Sequence, residues 1–360
     1  MLTLSSPITQ RPQLPHAPRP ILLIGAGGIV RDAHLPAYRQ AGFPVVGVYD
    51  LSQDKATALA HDFGIAQVYP SLAAALAAAP AGVVFDVAVP ASATLDILQR
   101  LPPQSVILSQ KPMGENLAEA RAIRDLCRAR QFTAAVNFQL RFAPYILAAR
   151  QLIAQGVIGE VHDMEVRVNV ETPWHLWTFL EGLPRLEILY HSIHYLDLMR
   201  AFLGDPRGVY AKTVRYPGLE KLAATRSTII LDYGDFLRAT VTANHHHIWG
   251  PRHQESYVKW EGTRGAIKAT LGSLIDYPKG IPDTLEYVTL EDGQPGAWQR
   301  IPVEGSWFPD AFIGTMSSLM CYAEGSAPTL PTAVEDAYRT MAVAEAAYRS
   351  SASGATPIPE

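Results

Sequence analysis

Three glycines after a short apolar run form the first group of residues that can support chemistry. Residues 21–24 are all aliphatic, which predicts a strand buried on both faces. Gly25 then permits a tight turn, and Gly27 lets the backbone approach a pyrophosphate closely. The helix predicted to follow begins at Ile29, directly after Gly28, and the N–H groups at its start lie at the positive end of the helix dipole. The pattern predicts a turn that binds a dinucleotide.

An acidic residue follows at the spacing that such a turn requires. Asp50 ends the next predicted strand, about 20 residues beyond the glycines, where a carboxylate can accept hydrogen bonds from both hydroxyls of a ribose. Capping a helix or forming a turn is the alternative role. Leu51 and Ser52 follow instead of an arginine, so a 2′-phosphate would meet a carboxylate without a nearby cation. The sequence therefore predicts NAD as the cofactor, with NADP disfavoured.

Two more strand ends are predicted at the same edge of the sheet. One strand ends at Val89 and is closed by Pro90, and this backbone is expected to line the nicotinamide pocket. Gln110 and Lys111 follow another apolar strand and are also candidate cofactor contacts. An ammonium group there can orient a reacting substrate oxygen and stabilise the negative charge that develops on it. The alternative is an ordinary surface lysine.

A second set of candidates lies on one predicted helix, residues 186–203. At about 100° per residue, Glu187, Tyr190, His191 and His194 share one stripe of an otherwise apolar helix. Burying this stripe is costly unless its groups are paired or face a wet pocket. We hypothesise that His194 exchanges the hydroxyl proton during hydride transfer, with Tyr190 as a hydrogen-bond partner. A hydrogen-bonded core network and a metal site formed by Glu187, His191 and His194 are the alternatives.

Aromatic and imidazole side chains surround this helix in the sequence. Trp174, His175 and Trp177 lie on a preceding loop, where they suit either the apolar faces of a sugar ring or ordinary packing. Residues 245–247 are three consecutive histidines, of which the first and third share one face of a strand. Without a clear carboxylate partner they favour a polar sheet surface or a substrate contact, and no metal is predicted.

The elements that must position these residues fall into two patterns. The first part alternates strands and helices, which predicts a parallel sheet with right-handed crossovers. Its strands are predicted at residues 21–24, 45–49, 83–89, 106–109 and 133–138, and its helices at residues 29–40, 54–61, 72–79, 93–100 and 117–130. The second part carries longer alternating strands, which predict a mostly antiparallel sheet. Its strands are predicted at residues 161–170, 209–216, 226–232, 236–245, 256–261 and 266–271, and its helices at residues 144–155, 186–203 and 333–349.

These patterns predict an α/β protein with two domains. Residues 1–19 form a flexible proline-rich tail, residues 20–138 a Rossmann dinucleotide-binding domain, and residues 139–360 an α+β domain with an open-faced sheet. The closing helix at residues 333–349 is expected to pack back toward the Rossmann domain. An open sheet face that alternates apolar residues is expected to need a cover.

Composition excludes several other classes of protein. The chain has 360 residues, of which 48% are hydrophobic, and a net charge of −4, so nucleic-acid binding has little electrostatic support. No apolar run reaches the roughly 18 residues that a membrane span requires. Cys127 and Cys321 lie far apart and suggest no disulfide framework, which fits a reducing cytoplasm.

Several short motifs together resemble the glucose–fructose oxidoreductase and inositol dehydrogenase (Gfo/Idh/MocA) family. They are the glycine turn, His34-Leu35-Pro36, Val48-Tyr49-Asp50, Gln110-Lys111-Pro112, Asn137-Phe138-Gln139 with Arg141, and Glu261-Gly262-Thr263-Arg264-Gly265. The resemblance implies an NAD(P)-dependent enzyme acting on sugars or polyols, with the open sheet forming a homodimer or homotetramer contact. It places the family's lysine at Lys111 and its histidine at His194. Gln110 replaces the usual glutamate, and Tyr190 replaces the usual aspartate.

The leading hypothesis is an NAD-dependent dehydrogenase of a sugar, sugar acid or polyol. Arg141, Trp174, His175 and His191 are candidate substrate contacts. A redox-neutral enzyme that retains NAD, working through a transient ketone, is the first alternative. A non-catalytic dinucleotide or sugar sensor is the second, and the tyrosine at position 190 is the main argument for it.

Overall fold

The structure, a computed structural model, describes residues 7–359, which divide into two compact units. The parallel-sheet unit contains residues 11–143 and 307–341. The antiparallel-sheet unit contains, among the described residues, 7–10, 144–306 and 342–359. The two sheet types confirm the predicted fold class. Each unit is built from two segments or more, which the predicted contiguous domains did not include.

The parallel-sheet unit is organised around five parallel strands. They are β1 (Ile21–Ile24), β2 (Val45–Tyr49), β3 (Val84–Val87), β4 (Val106–Ser109) and β5 (Thr133–Val136). Their order is β2-β1-β3-β4-β5, and β1, β3 and β4 are buried along their whole length. All five strands point the same way, so their carboxyl ends collect at one edge of the sheet.

Helices connect these strands, and side-chain caps define where several of them begin. They are α1 (Leu35–Ala41), α2 (Gln53–Phe63), α3 (Leu72–Ala78), α4 (Ala91–Arg100) and α5 (Leu117–Ala129). The side chains of Ser52, Ser71 and Asn116 accept N–H bonds at the starts of α2, α3 and α5. The helix predicted at residues 29–40 is not uniform, because a π-helical turn, Val30–His34, precedes α1.

Two late helices contribute to the parallel-sheet unit. Helix α8 (Asp310–Glu324) was not predicted, and α9 (Val334–Ser353) begins in this unit. Phe312, Met316 and Leu319 of α8 are fully buried in one apolar cluster with residues of β1, β3, β4 and β5. The predicted boundary at residue 138 is therefore incomplete, because the parallel sheet takes part of its cover from beyond residue 306.

Most of the predicted flexible tail is held by hydrogen bonds. Residues 7–19 have no helix or strand. Within the antiparallel-sheet unit, the backbone N–H of Thr9 donates to the side chain of Gln151 at 2.9 Å. Within the parallel-sheet unit, the backbone N–H of His16 donates to Glu324 at 3.0 Å. Flexibility of the tail stays a prediction, and residues 1–6 lie outside the described part.

The antiparallel-sheet unit contains a nine-stranded sheet. Its strands are β6 (Val161–Asn169), β7 (Gly208–Val214), β8 (Arg226–Asp232), β9 (Arg238–Asn244), β10 (Glu255–Gly262), β11 (Gly265–Thr270), β12 (Thr284–Glu291), β13 (Gln294–Pro295) and β14 (Gln299–Ile301). The order is β13-β12-β11-β10-β6-β9-β8-β7, with β14 beside β12. Only β6 and β9 pair in parallel among these described strands. Strands β12 to β14 were not predicted.

One face of this sheet is apolar and the other is largely polar. Buried residues such as Val166, Val241 and Trp260 alternate with outward-facing polar residues, and α6 (Pro144–Ala154) and α7 (Ile193–Leu203) contact the sheet. The outer face carries ion pairs and hydrogen bonds, including Lys259–Glu261 at 2.8 Å, Arg167–Glu255 at 2.7 Å and Tyr257–Glu165 at 2.7 Å. The expectation of an alternating apolar outer face is corrected, because these pairs occupy its centre. Apolar exposure is concentrated near β7 and β8.

No helix in residues 7–359 is long and apolar enough to cross a membrane.

Candidate active site

The glycine turn after β1 has the geometry that close backbone approach requires. Gly25 has a φ of 115°, and a Cβ at this position would lie 2.3 Å from the carbonyl oxygen of Ala88. No larger residue fits there without moving the backbone that follows β3. A Cβ on Gly27, in contrast, would meet no atom within 4 Å. The turn is therefore closed toward the sheet at Gly25 and open at Gly27, as a cofactor-binding turn must be.

Asp50 is tied to this turn through both carboxylate oxygens. Oδ2 accepts the N–H of Ala26 at 2.7 Å, and Oδ1 accepts the N–H of Ser52 at 2.7 Å. The turn-forming role that the sequence left open is thus present. A carboxylate has about four acceptor sites, so these bonds leave capacity for ribose hydroxyls. Beside it, the side chain of Leu51 is exposed.

Beyond the glycines, the helix start has no side-chain cap. The π-helical turn Val30–His34 begins after Gly28 and Ile29, and no side-chain hydrogen bond from Ile29 caps it. The N–H of Val30 donates to the carbonyl oxygen of Gly27 at 3.1 Å. Groups at such a helix start favour an anion. This arrangement agrees with the predicted phosphate-binding role of the turn.

The other predicted cofactor residues lie directly after strands β3 and β4. Val89 is half-buried, and Pro90 precedes the first residue of α4. Lys111 is half-buried after β4, and burial lowers its pKa to about 8. Gln110 is buried, and its side-chain oxygen accepts the backbone N–H of Lys111 at 3.0 Å. Lys111 therefore differs from a solvated surface lysine, which was the alternative.

A buried polar cluster beneath this edge was not predicted as a site. The Nδ1 of His34 lies 2.6 Å from Oδ2 of Asp86, and the hydroxyl of Tyr38 donates to the same oxygen at 2.7 Å. The Nε2 of His34 lies 3.3 Å from the amide nitrogens of both Gln110 and Asn137. The signal in the sequence was Asp86, an acid inside an otherwise apolar strand.

Arg141 is engaged inside the parallel-sheet unit. Its guanidinium donates to the carbonyl oxygen of Pro331 at 2.8 Å and forms an ion pair with Asp336. The arginine side chain is almost completely buried, so these contacts link the residues after β5 to the start of α9. A substrate contact for Arg141 stays a prediction, and the observed pair gives this residue a structural role as well.

The polar helix in the antiparallel-sheet unit starts with a π-helical turn, Ile188–Ser192, that continues into α7. This turn replaces the uniform stripe that 100° per residue predicted, because each π turn contains an additional residue. Glu187 and His194 are buried, while Tyr190 and His191 are half-buried. The wide turn lets the hydroxyl of Ser192 donate to Oε1 of Glu187.

Glu187 belongs to a cluster with residues from separate elements. The Nε2 of His245 lies 3.7 Å from Oε1 of Glu187, and the rings of His191 and His245 have centroids 4.4 Å apart. The indole of Trp174 packs edge-on against His191 at 5.4 Å. Burial raises the pKa of Glu187 to about 7 and lowers the pKa of His245 to about 3. Both groups are thus mainly uncharged in the folded protein near pH 6.

Other aromatic and imidazole candidates are distributed around this cluster. Tyr190 packs against an apolar group that includes Leu180 and Leu186, and its ring centroid lies 6.4 Å from that of Phe179. His175 is exposed on the loop. The structure therefore brings Trp174 and His191 together around His245. The sequence favoured a sheet surface or a substrate contact for His245. His175 lies outside this cluster.

The arrangement of the histidine and acidic side chains also bears on the alternative of a metal site. Across residues 7–359, no group of three or more His, Cys, Asp and Glu side chains is arranged to hold a metal ion. In the histidine run, His245 is buried, His246 packs against Tyr216 with ring centroids 4.2 Å apart, and His247 contacts Asn169 at 3.3 Å. The three rings thus have separate surroundings.

Comparison with known proteins decides the family. Residues 19–138 match the model of the oxidoreductase family with an NAD-binding Rossmann fold, and residues 146–268 match the GFO/IDH/MocA C-terminal domain. The chain belongs to the Gfo/Idh/MocA family of oxidoreductases. The predicted resemblance and the prediction of an enzyme are both confirmed.

Individual proteins align over nearly the whole chain. D-apiose dehydrogenase of Paraburkholderia graminis is 26% identical over 346 residues, which are 93% of this chain and 88% of that protein. An oxidoreductase from Agrobacterium radiobacter, solved with NAD+, L-tartaric acid and magnesium, has a TM-score of 0.77 at 21% identity, covering 93% of this chain and 97% of that one. The WlbA dehydrogenase from Bordetella pertussis, solved with NADH and UDP-GlcNAcA, has a TM-score of 0.72 at 18% identity, covering 96% of this chain and all of that one. The two solved structures show a shared fold.

The first prediction concerns the cofactor preference. We expect NAD to bind more tightly than NADP, because a 2′-phosphate would approach the Asp50 carboxylate. Asp50→Ser should narrow the difference measured by calorimetry, and Asp54→Ser on α2 serves as the matched control. Tighter binding of NADP by the unsubstituted protein would contradict the expectation.

The second prediction concerns stability against pH. The raised pKa of Glu187 makes folding less favourable as the pH rises from about 4.5 to about 7, because the folded protein holds a proton that the unfolded chain releases. The lowered pKa of His245 makes folding less favourable as the pH falls from about 6.5 to about 3. Between about pH 4.5 and 6.5 the two effects therefore oppose each other.

Glu187→Gln should remove the effect of Glu187 on stability and leave the effect of His245. We expect the free energy of unfolding of this variant to fall by about 2–3 kcal/mol, relative to the unsubstituted protein, between pH 6.5 and 4.5. His245→Gln should show the opposite slope. Urea denaturation at several pH values provides the measurement, and parallel stability curves for all three proteins would refute the assignment.

Proposed function

We propose that the protein is an NAD-dependent oxidoreductase that transfers a hydride between the nicotinamide and a hydroxyl-bearing carbon of a sugar, sugar acid or polyol. The observation that carries the proposal is the glycine turn, open at Gly27 and tied to the Asp50 carboxylate, in a chain of this oxidoreductase family. The named activity of the D-apiose dehydrogenase and the ligands of the two solved structures support a carbohydrate-like substrate.

Lys111 is proposed to act on the reacting oxygen. Hydride removal from a carbinol carbon leaves negative charge on that oxygen, and an ammonium group lowers the energy of this charge. With a pKa of about 8, the Lys111 side chain is mainly protonated at pH 7 and still exchanges its proton readily. Bound NAD would supply the hydride acceptor, and the turn after β1 with Asp50 would hold it.

His194 is proposed to exchange the hydroxyl proton. It is buried near the start of α7, and Tyr190, one turn earlier, stands where the family usually has an aspartate. A phenol forms hydrogen bonds but does not supply a carboxylate's negative charge. Glu187, whose pKa of about 7 keeps part of it ionised at neutral pH, is proposed to contribute negative charge to this part of the antiparallel-sheet unit.

The third prediction is a set of kinetic effects. Lys111→Ala should lower kcat/KM by about 10²–10⁴-fold, while the dissociation constant of NAD changes little. In the unsubstituted enzyme, kcat/KM should decline as the pH rises through about 8, because the ammonium form is lost. Lys111→Arg keeps its charge at this pH and should lack that decline. His194→Asn should lower kcat and change the shape of the pH profile.

The assay should begin with aldoses, aldonates and inositols, following absorbance of the reduced cofactor. Product analysis accompanies it, because redox-neutral turnover with retained NAD leaves that absorbance unchanged. Lys55→Ala, an exchange on the outer part of α2, is the control for loss of a lysine. A normal kcat and pH profile in Lys111→Ala would overturn the role given to this lysine.

The fourth prediction concerns assembly. We propose a homodimer or homotetramer formed through the outer face of the large sheet, where Tyr210, Ile230 and Phe236 are 65%, 43% and 90% exposed near β7 and β8. Light scattering should report an oligomer, and Ile230→Asp should weaken it. Leu51→Asp changes an equally apolar exposed residue of the other unit and should leave the mass unchanged. A monomer at all working concentrations would contradict the proposal.

A further inference from the structure

We propose that His34 and Asp86 are positioning residues for Lys111, acting through Gln110, and that this arrangement requires a neutral amide at position 110. The inference rests on the proposed role of Lys111 and extends it to three buried residues that do not themselves contact the reacting atoms. It follows from the hydrogen-bond directions in the cluster beneath the carboxyl edge of the parallel sheet.

The orientation of the Gln110 amide is fixed by a donor of known identity. A backbone N–H can only donate, so the side-chain atom that lies 3.0 Å from the Lys111 nitrogen must be the carbonyl oxygen of Gln110. The amide nitrogen of Gln110 then points to His34, 3.3 Å from Nε2. One side chain therefore connects the Lys111 backbone to the buried imidazole.

The amide orientation in turn fixes the imidazole. Because the NH₂ group of Gln110 donates, Nε2 of His34 must accept and carry no proton. Asn137 presents its amide nitrogen to the same Nε2 at 3.3 Å, while its oxygen accepts from the hydroxyl of Thr315 at 2.8 Å. The proton of His34 thus lies on Nδ1, which donates to Asp86 at 2.6 Å.

The surroundings hold this tautomer in place. His34 and Asp86 are fully buried, and Tyr38 from α1 donates to the same Asp86 oxygen as Nδ1 does. Phe312 of α8 covers the imidazole with its ring centroid 5.2 Å away. The titratable groups that face His34 in this cluster are Asp86 and Tyr38, and burial together with Asp86 raises the pKa of Tyr38 well above its usual range.

A carboxylate at position 110 is incompatible with this network. Its oxygens cannot donate, so Gln110→Glu would bring an acceptor against the unprotonated Nε2 of His34. The conflict ends when a proton is taken up between the introduced carboxyl group and Nε2 of His34, because either a carboxyl O–H or a second imidazole N–H then supplies the missing donor. The variant should therefore acquire a protonation step that the unsubstituted protein does not have.

The kinetic test uses Gln110→Glu, with Gln99→Glu on the exposed side of α4 as the matched control. At pH 8 we expect kcat of Gln110→Glu to fall by at least about tenfold, with KM for NAD nearly unchanged, because Lys111 is displaced. At lower pH, where a proton relieves the conflict between the introduced carboxyl group and His34, we expect part of the loss to be restored. The double variant His34→Phe/Gln110→Glu should lose this recovery. An unchanged kcat and pH profile in Gln110→Glu would overturn the proposal.

A second measurement does not depend on turnover. Nuclear magnetic resonance of ¹⁵N-histidine-labelled protein distinguishes the two nitrogens of His34, and we expect the proton on Nδ1 at pH 7 in the unsubstituted protein. In Gln110→Glu the signal of Nε2 should change as the pH is lowered, because a proton then joins this nitrogen to the introduced carboxyl group. A proton on Nε2 of the unsubstituted protein would overturn the inference. Absence of hydride transfer with all substrates would instead contradict the proposed function, and the tautomer would still be decided.

Discussion

Buried hydrogen-bonding groups need partners, and in each unit this requirement joins side chains that lie far apart in the sequence. In the parallel-sheet unit, Asp86 on β3 accepts from His34 and Tyr38, whereas Gln110 follows β4. Exchanging one of these residues leaves another buried polar group unsatisfied, at a cost of about 1–3 kcal/mol. The carboxyl edge of the sheet is therefore held by a connected set of bonds as well as by the strands.

In the antiparallel-sheet unit, buried hydrogen-bonding groups also find partners, and their charge depends on pH. Glu187 accepts from Ser192 and lies beside His245, and burial moves the pKa values of the glutamate and the histidine in opposite directions. This pair is uncharged near pH 6 and gains negative charge as the pH approaches neutrality. In the cluster around His34, in contrast, Gln110 joins the backbone N–H of Lys111 to the imidazole through its oxygen and its nitrogen.

Local patterns were enough to predict much of the fold. Strands β1, β2, β4 and β8 have the predicted bounds, because each is a compact apolar or alternating run between turn residues. Helix α8 was missed because its buried residues surround most of the helix and leave no amphipathic stripe. Strand β12 was missed because charged and polar residues interrupt its alternation. Neither π-helical turn has a residue signature that separates it from an α-helix.

The sequence predicted only those features of the candidate site that depend on residues close together in the chain. Gly25, Asp50 and Lys111 follow strands, so their place at the sheet edge was accessible from the sequence. The contacts of His34 with Asp86, and of Glu187 with His245, depend on which strands and loops become neighbours in space. Spacing along the chain does not contain that information, and a lone acid in an apolar strand was the one available signal.

The discontinuity of the parallel-sheet unit has a consequence for biosynthesis. When the ribosome has completed residue 143, the sheet is present but Phe312, Met316 and Leu319 of α8, which belong to its core, have not been made. Residues 144–306 must be translated first, which takes on the order of ten seconds or more at about 5–20 residues per second. During that interval the nascent chain presents an uncovered apolar surface. A fragment cut at residue 143 would keep the same exposed surface permanently.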